Sequence, residues 1–393
     1  MNSAAAISRS SEERRNILIA LFASDFMIGV AFGGFAPLLA LSMESRGISP
    51  LMIGLNSSMS PIGVISATLV TPWAIRKLGS IGAFFLGCAV VLGAILLFPV
   101  FENQTAWFIL RFVMGLGLAL PWVVSETWIN MVTPDSSRGR VMAIYTMVLG
   151  LGFAIGPGII AVFGSQGTLP YLISAAFFGF CLLPVFKVRH LAPKMDVPEH
   201  TRMSGLARSA PTILGAAVLA GVMDSAIFSF LPLYGLRLGF SESYAVTLLT
   251  LFLAGNLVLQ YPVGWVADHI SRRGMLLACA AACTLGPAFM PIVYSSPISL
   301  GIVLFFWGGG AWAIYGVALT MLGDRFPRGQ LTAANAAFIM SFELANIFAP
   351  PISGYVINIW APHGLMVFLA FTGAVFFVLT AGRGIVRKLR GLE

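Results

Sequence analysis

Twelve runs of apolar residues, each long enough to cross a bilayer, fill most of this chain. A spanning helix needs about 20 predominantly apolar residues, and the runs reach that length from one end of the sequence to the other. We predict helices at residues 17–42, 50–75, 79–100, 105–132, 139–164, 168–187, 211–236, 242–267, 274–293, 297–322, 329–358 and 363–382. The expected fold class is therefore an all-α membrane protein with twelve transmembrane helices.

The composition agrees with the pattern of the runs. Hydrophobic residues make up 58% of the 393 positions and charged residues only 10%, whereas about a quarter of the residues of a soluble domain are charged. The first run follows Arg14 and Arg15 and is too long for a removable signal peptide. We interpret it as a retained first helix.

Positive charge predicts the orientation, because cytoplasmic loops of membrane proteins are enriched in Lys and Arg. Of the 23 Lys and Arg residues, only Arg46 and Arg237 fall in the loops opposite the termini, and Arg111 falls inside a run. Both termini are therefore expected in the cytoplasm, at the inner membrane if the cell is bacterial. The net charge of +8 then reflects this topology and contact with anionic lipids rather than nucleic-acid binding.

The two halves of the sequence repeat each other. The segment from Pro72 to Gly79 and the segment from Gly264 to Ser271 are 192 positions apart, and Arg138-Gly139 recurs as Arg328-Gly329. The predicted domains are residues 1–187, a cytoplasmic linker at 188–210, and residues 211–393. Parallel repeats of six helices are typical of secondary transporters that alternate around a central site.

Three motifs resemble those of the major facilitator superfamily. Residues 264–273 are similar to its G-x-L-A-D-R-x-G-R signature, Arg111 with Gly115 and Gly117 resembles its helix-four motif, and residues 152–157 resemble its helix-five motif of antiporters. The resemblance implies two pseudo-symmetric six-helix bundles that transport by alternating access. In the first half the signature departs from the family, with Pro72 at its leading glycine and Arg76 at its aspartate, and Ile160-Ala161 replace the closing glycines of the helix-five motif.

Polar residues within the runs predict which helices line a central cavity, since hydrocarbon rejects such groups. The third, sixth, ninth and twelfth runs have no Asp, Glu, Lys, Arg, His, Asn or Gln in their central spans and are expected to face lipid. The other runs supply the candidates for substrate binding and proton coupling: Glu343, Asp224, Arg111, Asp25, Asn346, Asn335, Trp122, Asn256, Gln260 and Tyr315.

Glu343 and Asp224 are the leading candidates for coupling. Asn335, Glu343 and Asn346 share one helical face with Pro350, and Asp224 lies near the middle of its helix. Removal from water favours the neutral form of a carboxylate, so such a group can load and release a proton. The alternative is a structural carboxylate held by Arg111 or by an amide.

Arg111 and Glu126 are costly inside a membrane, by about 2.5–3.5 kcal/mol each at mid-span. They lie 15 positions apart, so they cannot pair, but they share one helical stripe with Trp122. Arg111 could bind a substrate anion, accept a carboxylate or hold backbone carbonyls. Glu126 could pair with Arg138 or Arg140, and Asp25 could either function in the cavity or form a hydrogen bond near the cytoplasmic interface.

A cytoplasmic gate is expected from the charged loop residues. We assign to it Gly264, Asp268, Arg272, Arg273, Glu126, Arg138 and Arg140. Asp268 is expected to act as a latch with Arg272 or Arg273. It is not expected to contact substrate.

The function predicted is secondary active transport of a small organic solute, coupled to protons, with efflux favoured by the helix-five motif. Alternatives are uptake of an organic anion bound by Arg111, a membrane sensor that does not transport, and a lipid flippase-like protein. Enzymatic activity, a cofactor and a metal site are not expected, because no nucleotide-binding motif is present and no His accompanies the four cysteines. The chain is expected to be monomeric.

The predicted topology can be tested with single cysteines. A membrane-impermeant maleimide should label a cysteine at position 237 from outside intact cells, and cysteines at 76, 138, 272 and 328 only after the membrane is opened. External labelling at position 272 would contradict the assignment.

Overall fold

The computed structural model describes residues 10–101, 103–134, 137–193, 195, 210–269, 271–326 and 328–389. In these ranges all regular structure is helical. We number the helices by span. They are α1 (Ser11–Ser45), α2 and α3 (the two arms of Pro50–Leu97), α4 (Gln104–Val132), α5 (Arg138–Ile155, continued by Gly158–Phe163), α6 (Leu169–Phe180, continued by Leu182–Val188), α7 (Pro211–Arg237), α8 (Glu242–His269), α9 (Arg272–Val293), α10 (Pro297–Arg325), α11 (Arg328–Ile359) and α12 (Gly364–Leu389).

The segment Pro50–Leu97 contains two spans. Its 48 residues would extend about 72 Å as one helix, more than twice the hydrocarbon thickness. Gly79 divides it, with φ 72° and ψ 172°, a conformation that glycine adopts without strain. Gly63 before the break and Gly87 after it contact α4 near Gly115 and Gly117 respectively, so the chain reverses direction at Gly79. The prediction of twelve helices is thereby confirmed.

Helices pack into two groups of six. In the first group α4 packs on α2 and α3, and α1 packs on α5 and α6; in the second, α8 packs on α10, α7 on α11, and α9 on α10 and α12. The main contacts between the groups are α2 with α11, α5 with α8, and α1 with α7. The helices α3, α6, α9 and α12 therefore lie at the periphery, in agreement with the absence of charged, histidine and amide side chains from their central spans.

Glycines allow α1 and α5 to touch. A Cβ atom added at Gly152 or Gly156 would overlap backbone atoms of α1, and one added at Gly33 would overlap the backbone of Phe153. Helices within a membrane lack a hydrophobic force between them, so close packing at small residues is a main source of their association. The helix-five motif thus has a structural role in this fold, which is to join α5 to α1.

The two faces of the bundle differ. We call the face that carries Ser11 and the end of α12 the terminal face, and the opposite face, with residues 46–49 and 238–241, the distal face. At the distal face the two halves meet closely: Arg237 and Glu44 form an ion pair of 2.8 Å. A Cβ atom at Gly54 would overlap the carbonyl of Pro350, and one at Gly354 would overlap that of Pro50.

Toward the terminal face, helices that take part in the contacts between the halves carry exposed apolar side chains. Leu69 of α2 is 79% exposed and Tyr261 of α8 is 78% exposed. The tightest backbone contacts between α2 and α11 thus lie at one end. The two halves are therefore in close backbone contact at the distal face.

Several predicted helix ends are wrong. α1 begins at Ser11, six residues before the predicted start, because Ser10 caps it: the Ser10 hydroxyl accepts a hydrogen bond from the Glu13 amide at 3.1 Å, and the Glu13 carboxylate accepts one from the Ser10 amide at 3.2 Å. α12 extends to Leu389 rather than 382. Hydropathy locates only the apolar part of a helix, and both extensions are polar.

We expect the close contact between α2 and α11 at the distal face to require glycine at position 54. In Gly54→Ala the added methyl group would overlap the Pro350 carbonyl, and overpacking of this kind costs on the order of 1–3 kcal/mol. The variant should therefore favour states in which the distal face is open. Spin labels at positions 100 and 298, both exposed near the distal face, should move apart in double electron–electron resonance.

Gly93→Ala is the matched control, since nothing lies within 4 Å of a Cβ atom there. Its distance distribution should equal that of the unmodified protein. An unchanged distribution in Gly54→Ala would show that the contact with Pro350 does not limit distal opening.

Candidate functional site

Two carboxylates lie within electrostatic range of each other in the middle of the second half. Asp224 is the fourteenth of the 27 residues of α7, and Glu343 is the sixteenth of the 32 residues of α11. Their carboxyl groups interact electrostatically, and Asn346 donates its amide to Glu343 at 3.5 Å. One buried oxygen of Asp224 has no hydrogen-bond partner. Among the residues described, neither carboxylate forms an ion pair.

A second carboxylate pair lies in the first half. Asp25 of α1 is 3% exposed, lies next to the hydroxyl of Ser125, and interacts electrostatically with Glu126. Glu126 accepts a hydrogen bond of 2.8 Å from the indole of Trp122, one turn earlier on α4, and its carboxylate lies next to the hydroxyl of Tyr145 in α5. Three helices therefore position this pair.

Tyr315 of α10 lies within electrostatic range of one carboxylate from each pair. Its hydroxyl group interacts electrostatically with both Glu126 and Glu343, so the carboxylates of the two halves face one central region. The ring of Tyr315 packs on Phe338 and Phe342 of α11, with centroids 4.9 Å and 5.2 Å away. The region thus combines acidic groups with aromatic surface.

An aromatic contact also joins the two halves beside this central region. Phe153 of α5 and Phe228 of α7 pack edge to face at 5.7 Å between centroids. Beside them is a cavity of about 20 Å³ lined in part by Asp25, Trp122 and Tyr145, which is enough space for about one water molecule. Asp25 therefore lies next to a solvent-sized space although its side chain is buried.

Arg111 is placed away from this region. The backbones of α2 and α4 touch where a Cβ atom at Gly115 would overlap Ser60, and Arg111 lies one turn from Gly115 on the same face of α4. Its side chain is 6% exposed, and its Nε atom has no hydrogen-bond partner. It forms no ion pair in the part of the chain that the structure describes. The guanidinium is thus buried without a compensating carboxylate.

One sequence interpretation requires correction. The sequence assigns Glu126 to the cytoplasmic gate, but Glu126 lies beside Asp25 and Tyr145 in the central region. Asp25 lies beside Ser125 and Glu126, and its role, in the cavity or as a structural hydrogen-bonding group, stays a prediction. Arg111 and Trp122, which the sequence places on one face of α4, differ in exposure: Arg111 is buried, whereas Trp122 is 40% exposed. Hydropathy fixes the depth of a residue approximately and does not fix its neighbours.

The remaining gate candidates lie at the terminal face. Arg272 pairs with Asp324 of α10, and Arg273 donates a hydrogen bond of 3.1 Å to the carbonyl of Thr380 in α12. The side chain of Asp268 lies outside the described part of the structure, so its latch role stays a prediction. Gly264, Arg138 and Arg140 are exposed.

Other polar candidates vary in their exposure. Asn256 of α8 is buried, Asn335 of α11 is half-buried, and Gln260 is exposed. Sequence reasoning missed Ser125 as a neighbour of Asp25 and missed the pair Glu44–Arg237. The signal for the second was present, because opposite charges end the two corresponding helices α1 and α7.

The fold and these residues can be compared with known proteins. The family model described as Major Facilitator Superfamily matches residues 18–249 and 213–386, which together cover nearly the whole chain. The chain belongs to the major facilitator superfamily. It is therefore an integral membrane protein with multiple spans, in a family of transporters.

Individual relatives align with this chain over nearly its full length, but their sequence identity to it is low. The chain is 26% identical over 362 residues to the uncharacterized MFS-type transporter YfkF of Bacillus subtilis (strain 168), covering 90% of this chain and 92% of that protein. A mutant of the nucleoside transporter NupG superposes with a TM-score of 0.78 at 12% identity, covering 93% of this chain and 99% of NupG. A bacterial homolog of the human lysosomal transporter Spinster, in an inward-facing and unoccupied conformation, gives a TM-score of 0.73 at 15% identity, covering 95% and 96%. These similarities show the fold.

Proposed function

We propose that this protein moves a small organic solute across the membrane by alternating access and couples that movement to protons at Asp224 and Glu343. The observation that carries the proposal is that the packing of α7 on α11 brings these two carboxylates, each at the middle of its helix, within electrostatic range of each other. The proposed orientation puts the terminal face in the cytoplasm, at the inner membrane of a bacterial cell.

The chemistry of a carboxylate pair supports proton binding. Two neighbouring carboxyl groups removed from water cannot both ionise without strong repulsion, so the pair retains a proton and titrates as a unit. A change from cytoplasmic to external access changes the hydration of the pair. The pair would then release its proton on one side and bind one from the other.

The central region favours a neutral or cationic solute. It contains four carboxyl groups, those of Asp25, Glu126, Asp224 and Glu343, whereas the buried Arg111 lies one turn from Gly115, where α4 touches α2. The faces of Trp122 and Tyr315 can hold an organic cation or stack on a planar ring. An anion would be repelled while the carboxylates are ionised. The direction of transport, for which the sequence favours efflux, stays a prediction.

The first test replaces each coupling candidate by its amide. Glu343→Gln and Asp224→Asn each keep the shape and remove the titrating group, so they should abolish accumulation driven by a pH gradient while leaving solute exchange intact. Purified protein in liposomes would be assayed with tetraphenylphosphonium, uridine and benzoate as cationic, neutral and anionic probes. We expect the anionic probe to be transported least.

Glu242→Gln is the matched control, because Glu242 begins α8 at the distal face, away from both pairs. It should accumulate the probe as the unmodified protein does. If both amide variants accumulate solute with unchanged pH dependence, the pair does not couple protons, and Asp25 becomes the next candidate.

One observation favours a second candidate function, the uptake of an organic anion. The Nε atom of Arg111 is buried without a partner, and a buried cation without a counterion favours an anionic ligand.

Transport of benzoate tests the second candidate. If Arg111 binds the anion through two parallel hydrogen bonds, Arg111→Lys should lose benzoate transport almost completely, because lysine cannot form that fork. A point-charge role would leave partial activity in Arg111→Lys and none in Arg111→Gln. Unchanged transport in both variants would remove Arg111 from the site.

A further inference from the structure

We infer that the second half binds an anionic phospholipid in a basic cavity at its terminal end. The cavity has a volume of about 630 Å³ and lies between the ends of α7, α9, α10 and α12. It is separate from the four central carboxylates, none of which lines it. The inference does not depend on the solute proposed above.

The charge of the cavity selects an anion. Arg273, Arg325 and Arg383 line it, and among the described residues no acidic side chain lines it. The nearest acid in sequence, Asp324, is paired with Arg272. Arg273 is held in place by its hydrogen bond to the Thr380 carbonyl. Three arginines from three different helices therefore line this space, and no described carboxylate lines it with them.

The backbone adds to this positive potential. The first turn of α7, residues 210–213, lines the cavity, and Ala210 at its N-cap offers no side chain to the free amide groups. The amino end of a helix carries unpaired N–H groups and a partial positive charge. Phosphate oxygens are suited to both the arginines and this helix end.

The apolar walls distinguish a lipid from a soluble anion. Met321, Val378 and Leu379 line the same cavity, and Val378 and Leu379 are 66% and 61% exposed on the peripheral helix α12. A phospholipid could place its phosphate among the arginines and its acyl chains along α12. Basic pockets between spanning helices on the cytoplasmic side are suited to anionic headgroups.

The charge is tested by a pair of double variants. Native mass spectrometry would count phosphatidylglycerol and phosphatidylcholine of identical acyl chains retained by the detergent-purified protein. The unmodified protein should retain one phosphatidylglycerol in preference to phosphatidylcholine, and Arg325→Gln/Arg383→Gln should lose most of that retention. Both arginines are exposed, so the fold should persist, which circular dichroism would check. Arg76→Gln/Lys77→Gln removes two exposed charges from the first half and should retain the lipid.

The shape is tested by a variant that keeps every charge. Gly382 lines the cavity, and nothing lies within 4 Å of a Cβ atom there, so Gly382→Phe would fill the space without a backbone clash. It should also lose the preferential phosphatidylglycerol, while Gly93→Phe, at a similarly open position of α3, should not.

Three results would overturn the inference. The first is equal retention by the Arg325→Gln/Arg383→Gln variant and the unmodified protein. The second is equal loss in Arg76→Gln/Lys77→Gln, which would indicate general surface attraction. The third is displacement of the lipid by millimolar glycerol 3-phosphate, which would indicate a site for a soluble anion.

Discussion

Close contact between helix backbones is the interaction on which this structure depends. Within hydrocarbon no hydrophobic force drives helix onto helix, so packing at small residues must fix their positions. Gly63 and Gly115 join α2 to α4, and Gly255 and Gly308 join α8 to α10. The same type of contact recurs between the halves at Gly54 and Gly354, where the proposed alternating access would require it to break. Under that proposal, contacts of one type serve both the interfaces within each half and the interface between the halves.

The sequence was sufficient for the number of spans and for the peripheral position of α3, α6, α9 and α12. Both follow from the length and polarity of the apolar runs, which the membrane constrains directly. It was insufficient for Glu126, whose contacts with Asp25 and Tyr145 come from two other helices. The rotation of a helix is set by its neighbours, and a single sequence records those only indirectly. The same reason explains why Ser125 was missed.

Arg111 illustrates a different limit of sequence reasoning. A charge inside an apolar run indicates that the residue has a partner or a function, but the structure gives Arg111 neither a carboxylate nor a bond to its Nε atom. Its proximity to Gly115, where α4 touches α2, puts the charge at a helix contact rather than among the central carboxylates. Burial of this charge destabilises the present state, so a ligand or conformational change that supplies an anion or water to Arg111 would be favoured.

The two carboxylate pairs differ in how they relate to the interface between the two halves. Asp25 and Asp224 belong to corresponding helices, α1 and α7, but their partners do not correspond, since Glu126 is on α4 and Glu343 is on α11. Of these two helices, α11 contacts the other half closely: the hydroxyl of Ser58 in α2 donates to the carbonyl of Ile347, one turn beyond Glu343. A change in the charge of Glu343 would therefore act next to a contact that closes the distal face. This is a physical reason to place the proposed proton coupling at the pair of Asp224 and Glu343 rather than at the pair of Asp25 and Glu126.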